Sequence, residues 1–163
     1  MNSYEWIDAE VPTRLEIRQV YGFIFSYDGR ILLLEDEGKF NLPGGKPEND
    51  ESVRETLIRE TLEEVQVTIT SPEYLGYQLI SAGEVFAQVR LVALIDQVLP
   101  RAIDPSTGRQ YLRLLVPPTR SNDLLEWGES GDKQIASAIA VASKLGVAWN
   151  GSPLAYIEID QKN

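Results

Sequence analysis

"GGKPENDESVRETLIRETLEE", residues 44–64, decides how the rest of the chain is read. Its first part is a turn-rich loop. Its second part reads as a helix from about Glu51 to Val65, entered through Asn49 or Asp50 as N-cap. Residues three and four apart on a helix are neighbours, so Glu60 faces like charge at both Glu63 and Glu64, with Thr56 one turn back. Each such pair costs about 0.2–0.5 kcal/mol in an isolated helix. The three glutamates fall within an arc of about 100°, while Leu57, Ile58, Leu62 and Val65 lie mostly on the other side, suited to packing on a sheet. Arg59 can pair with Glu63 and Glu55, which leaves Glu60 and Glu64 without an evident cation. A solvated acidic face is one explanation. A divalent cation is the other, because Mg²⁺ prefers oxygen ligands and is held by a few carboxylates together with substrate phosphates. Ahead of the helix, Gly44-Gly45 allows close approach of backbone to a ligand, and Lys46 can neutralise a phosphate.

Outward from this segment the pattern is α+β. Residues 17–27 are rich in aromatic and β-branched types and read as a strand; Asp28-Gly29 is a hairpin signal, and 31–36 returns as the partner. Residues 37–50 read as one long loop. Further strands are expected near 74–81, 85–98 and 110–116, with a turn-rich insert before the last of these. A short helix is expected at 120–126, an amphipathic helix over 132–146 stopped by Gly146, and a final strand at 155–159. No repeat or linker divides residues 1–163, so a single domain with one mixed or antiparallel sheet and two main helices is expected.

Composition narrows the chemistry. The chain has no cysteine and no histidine, which excludes disulfides, thiolate nucleophiles, a Ser-His-Asp triad and His-rich zinc sites. A net charge of −10 argues against a stable grip on nucleic acid. No apolar run approaches a membrane span, and the early acids of MNSYEWIDAEVPTR do not form a secretory signal, so the expected address is the cytoplasm. A homodimer is compatible with a domain of this size, but no interface is identifiable.

Taken together, the spacing is Gly45, five residues, Glu51, seven residues, Arg59-Glu60, Thr61-Leu62, Glu63-Glu64, Val65, Gln66, Val67. This resembles the Nudix box, G-x5-E-x7-R-E-U-x-E-E-x-G-U, with U a bulky aliphatic residue. FNLPGG at 40–45 also resembles the family's aromatic-x-L-P-G-G lead-in, with Phe40 where Trp is common. Two positions depart: Thr61 replaces an aliphatic residue, and Gln66 replaces the glycine whose left-handed conformation often closes the helix. The resemblance implies a Nudix-type α/β/α sandwich. It also implies Mg²⁺- or Mn²⁺-dependent hydrolysis of a nucleoside diphosphate linked to another group. By similarity Glu60, Glu63, Glu64 and the Gly45 carbonyl would be metal ligands, Arg59 would orient the glutamates, and Glu51 would join the metal network. The general base would be Glu60 or an acid outside the box, here Glu126, Glu129 or Asp132.

The substrate is less legible. The proline of ADP-ribose hydrolases and the tyrosine of dinucleoside polyphosphate hydrolases are missing downstream of the box, which leaves a MutT-like nucleotide pyrophosphohydrolase as the default, with a nucleotide or nucleotide sugar as substrate. Lys46, Phe40 and Glu129 are candidate substrate contacts. Tyr21, Phe25 and Trp127 could also stack on a base, and Arg90, Arg109, Arg113 or Arg120 could contact phosphate. The competing expectations are a Nudix-like binding domain without activity and a structural acidic helix on an unrelated fold.

Overall fold

The structure is a computed structural model that describes residues 2–149 and 157–159. A mixed sheet runs through the molecule. Its main strands are β1 (Ser3–Ile7), β2 (Ile17–Phe25), β3 (Ile31–Asp36), β7 (Glu73–Ala82), β8 (Glu84–Val98), β9 (Leu112–Val116) and β10 (Ile157–Glu158). They lie in the order β1-β7-β8-β2-β3-β9-β10. The short strands β4 (Lys39–Asn41), β5 (Gly44–Gly45) and β6 (Val67–Ile69) pair with β3, β2 and β8 respectively. Among the described residues only the central β2–β8 pair is parallel, running from Ile17 opposite Ala87 to Phe25 opposite Leu94; the other pairings are antiparallel.

Among the described residues there are three helices: α1 (Val53–Val65), α2 (Pro118–Leu125) and α3 (Gly128–Lys144). The sheet has two apolar faces because its central strands alternate. Phe23, Phe25, Val92 and Leu94 turn to one face, where Leu125 of α2 and Ile135, Ala138 and Ala142 of α3 cover them. Ile24, Ala93 and Ile95 turn to the other face and meet Val65 of α1, with Leu57 of the same helix packed beside Val20, Val89 and Leu91. This is the expected α/β/α sandwich. Gly22 lets α1 settle closely on the sheet: a Cβ there would lie 2.6 Å from Leu57 Cδ2.

Several local expectations change. The N-cap of α1 is Ser52, not Asn49 or Asp50, because Ser52 and Glu55 form a reciprocal capping box. Asn49 and Asp50 instead turn the chain with positive φ values of 42° and 63°. Leu57, Thr61 and Val65 are the stripe of α1 that faces the sheet, which leaves Ile58 and Leu62 beside it, 43% and 44% exposed rather than packed. The 37–50 segment is not wholly loop, since β4 and β5 lie within it, and β1 and β6 were not legible as strands. Helix α3 begins four residues early, at Gly128, so Glu129 sits on its first turn, ahead of the expected start at Asp132. Of the final strand expected at 155–159, residues 155–156 lie outside the described residues.

Candidate active site

Strand β2 anchors the site. Val20 and Tyr21 pair with Gly45 and Gly44, which fixes the glycine turn against the sheet before the chain enters α1. On α1, Arg59 gathers the box into one network. Its Nε donates to Glu51 Oε2 at 2.7 Å and its Nη2 to Glu51 Oε1 at 3.0 Å, a bidentate pair across eight residues. Its Nη1 donates to Glu60 at 2.9 Å and Glu63 at 3.2 Å, and Nη2 also reaches the Lys46 carbonyl at 3.0 Å. The glycine loop, the residues leading into the helix and the helix itself are thus tied by one guanidinium.

Glu64 is held separately: the Gly44 N–H donates to its Oε1 at 2.8 Å. Burial pushes its carboxyl up to about 8, with the like charges of Glu60, Asp104 and Glu63 adding to the effect. Burial also raises the Glu60 carboxyl, against the pull of Arg59. Glu51 moves the other way, down to about 2, chiefly through its hydrogen bonds from Arg59. The loop and helix therefore hold one firmly ionised carboxylate, Glu51. Glu60 does pair with Arg59, contrary to the expectation from sequence, but is only partly offset, and Glu64 has no cation beside it among the described residues.

The cradle fits a hard divalent cation in its chemistry. Glu60, Glu63, Glu64 and the Gly45 carbonyl are all oxygen donors. Gly45 leaves open the space beside Glu60, where a Cβ would lie 2.5 Å from that carboxylate's Cδ and Oε1. As the side chains stand, Arg59 and the Gly44 N–H engage the carboxylates, and among the described residues no three acids converge as a closed ligand set.

A further acid was missed in the sequence. Asp104, from the insert before β9, is 2% exposed and acts electrostatically on both Glu60 and Glu64. Ser106, two residues on, donates its N–H to Asp104 at 2.8 Å, and its hydroxyl lies 3.5 Å from Glu63. The insert reads as a turn, and only its folding back against α1 reveals the acid.

The substrate candidates divide. A cavity of about 500 Å³ is lined by Tyr21, Arg90, Trp127 and Glu126 among others, whereas Phe40 packs against the core beneath α2 and α3. Phe25 is fully buried. Lys46 is exposed beside Arg18 and Phe86 on a second surface cavity. Glu129 is exposed, and Asp132 accepts a hydrogen bond from Asn122 at 2.7 Å. Of the other arginines, Arg113 donates to the Val65 and Leu99 carbonyls, Arg109 pairs with Asp36 and Arg120 with Asp123.

Comparison with known proteins bears on the fold and the family. A curated relative, "Uncharacterized Nudix hydrolase YvcI" of Bacillus subtilis (strain 168), is 37% identical over 62 residues, which make up 37% of this chain and 39% of that protein. The match thus spans well under half of the relative's length. Among solved structures, a NUDIX hydrolase from Nitrosomonas europaea superposes with a TM-score of 0.60 at 16% identity, covering 82% of this chain and 92% of its own. The Bacillus subtilis pyrophosphohydrolase BsRppH gives a TM-score of 0.55 at 24% identity, covering 62% and 65%. These likenesses speak for the fold. The NUDIX domain model itself matches residues 16–110, more than half of the 163-residue chain, and the chain belongs to the Nudix family.

Proposed function

We propose that this chain is a metal-dependent pyrophosphohydrolase. Its substrate is a nucleoside diphosphate linked to a second group, a nucleoside triphosphate or related nucleotide before others. The observation that carries this reading is the Arg59 network, which binds Glu51, Glu60, Glu63 and the Lys46 carbonyl while the Gly44 N–H fixes Glu64. An idle acidic helix has no need of half-buried carboxylates that repel one another beside a glycine loop.

In this reading Glu60, Glu63, Glu64 and the Gly45 carbonyl hold Mg²⁺ or Mn²⁺, with Glu51 joining the network and Asp104 at its edge. A cation bound there polarises the pyrophosphate and lowers the pKa of an attacking water. Arg59 fixes where Glu51, Glu60 and Glu63 stand, so their orientation does not have to be established during the reaction. Glu60, or one of Glu126, Glu129 and Asp132, takes the proton of the water. In the same reading Lys46, exposed at the start of the box, meets a phosphate of the substrate. The reading takes residues 1–163 as one catalytic domain working in the cytoplasm on a small nucleotide. The net charge of −10 supports a small-molecule substrate over nucleic acid. Among the described residues no helix is long and apolar enough to cross a membrane.

The test is a panel of canonical and oxidised nucleoside triphosphates, ADP-ribose, NADH and nucleotide sugars, incubated with Mg²⁺, Mn²⁺ or chelator. Phosphate, pyrophosphate and nucleoside monophosphate are measured. Cleavage with either metal and none with chelator is expected. Binding of a nucleotide without turnover under any condition would replace the hydrolase reading with that of a binding domain.

A further inference from the structure

Gln66 ends α1 at the position where the box usually carries glycine, and it holds the left-handed conformation, φ 52° and ψ 44°, that favours glycine. The residue is buried, and both ends of its side-chain amide are bonded. Nε2 donates to the Glu63 carbonyl at 2.8 Å, and Oε1 accepts from the Ala102 N–H at 2.9 Å. The Gln66 carbonyl also accepts from the Leu99 N–H at 2.9 Å. A glycine could make the last of these bonds and neither of the first two.

These bonds grip the start of the insert between β8 and β9. Beyond them the insert closes on itself: the Asp104 N–H donates to the Arg109 carbonyl and the Gly108 N–H to the Asp104 carbonyl, each at 2.8 Å. The Asp104 carboxylate accepts from the Ser106 N–H at 2.8 Å, and the Ser106 hydroxyl stands 3.5 Å from Glu63 Oε2. Residues 105–110 are exposed, as is Ile103, whereas Asp104 between them is buried. Apolar packing therefore does little to hold this part of the insert down. Only Ile103 separates the gripped Ala102 from Asp104, so the place where Ala102 is held decides where the carboxylate stands. The charge of Asp104 is felt at both Glu60 and Glu64.

We infer that Gln66 is a positioning residue for the candidate cation site: by gripping Ala102 it sets the Asp104 carboxylate against Glu60, Glu63 and Glu64 and so raises the affinity of that cradle for a divalent cation. A further negative charge at short range attracts a cation more strongly, most of all in a partly buried site. The residue that departs from the box thus takes on a task that glycine could not perform, and the strained exit from α1 is held by the bonds that perform it. The inference rests on the metal reading above, but the grip on the insert can be tested without metal.

Two measurements on the full chain separate the grip from the cation. Hydrogen exchange in chelator follows the insert, and calorimetric titration with Mn²⁺, without nucleotide, reads the cradle. Gln66→Gly keeps the left-handed exit and removes both side-chain bonds. It is expected to speed exchange at Ala102 and to weaken Mn²⁺ binding about threefold to tenfold, the scale of one hydrogen bond. Gln66→Asn tolerates the same conformation but is one methylene shorter, so it should behave alike. Asp104→Asn keeps the acceptor for Ser106 and loses the charge. It should weaken Mn²⁺ at least as much, and adding Gln66→Gly to it should cost little more. Unchanged exchange at Ala102 in both Gln66 variants overturns the inference, as does wild-type Mn²⁺ affinity in both. Losses that multiply in the double variant overturn it too, because Gln66 would then act independently of Asp104. Each of these results leaves the metal reading standing. No Mn²⁺ binding by the wild type removes that reading, and the inference with it.

Discussion

Arg59 and Glu51 face each other through two parallel hydrogen bonds, 2.7 Å and 3.0 Å, that join the loop before α1 to the middle of the helix. The same guanidinium reaches Glu60, Glu63 and the Lys46 carbonyl. A lysine presents a point charge instead of a planar fork and cannot serve these partners together. Arg59→Lys is therefore expected to lower kcat by about 10–100-fold, the usual cost of disturbing residues that orient metal ligands. Steady-state kinetics at saturating Mg²⁺ check this, with circular dichroism confirming the fold.

Gly45 supplies a second, purely steric test. A Cβ would lie 2.5 Å from the Glu60 carboxylate, while no strained backbone angle is involved. Gly45→Ala is expected to keep the fold and lose on the order of 100-fold in kcat/KM, as misplacement of a positioned group does. At Gly44 the added Cβ would instead lie 2.1 Å from the Val20 carbonyl oxygen, so Gly44→Ala should lower Tm as well as activity.

The box residues were legible because their spacing is local: Glu51, Arg59, Glu60, Glu63 and Glu64 lie on one helix and its lead-in, and helical periodicity places them. Gln66 was also legible as a departure, and the structure resolves it. It keeps the left-handed conformation at φ 52° and adds side-chain bonds to the Glu63 carbonyl and the Ala102 N–H, at 2.8 Å and 2.9 Å, which help hold the strained exit. Asp104 was not legible as a site, and Tyr21, Arg90 and Trp127, each a substrate candidate in the sequence, could not be joined there into one cavity, since both depend on contacts between distant segments. Asp104 reaches α1 only because its insert folds back, and Arg90 meets Gln134 across 44 residues. Strands β1 and β6 were missed for the same reason: their partners, β7 and β8, are what make them strands.

Thr61 stands where the box usually carries an aliphatic residue. It is fully buried, and its hydroxyl has no hydrogen-bond partner among the described residues. Replacing it with an isosteric methyl removes an unsatisfied polar group at constant volume. Thr61→Val is expected to stabilise the protein by about 1 kcal/mol, read as a Tm rise of roughly 2–4 °C in calorimetry.

Glu64 predicts a pH dependence in the metal-free protein. Its folded-state pKa is raised from the ordinary 4.5 to about 8. Between these values the folded chain holds a proton that the unfolded chain has released, so stability falls as pH rises through that window. Urea unfolding in chelator from pH 5 to 9 should show the midpoint declining, and Glu64→Gln, neutral at every pH, should flatten the decline.

The most direct measurement compares wild type and Glu64→Gln on the preferred substrate across a Mg²⁺ titration. The account predicts saturable, Mg²⁺-dependent release of nucleoside monophosphate by the wild type and its loss in Glu64→Gln at every Mg²⁺ concentration, with the fold intact. Turnover by Glu64→Gln at the wild-type rate, or wild-type turnover undiminished by chelator, would contradict it.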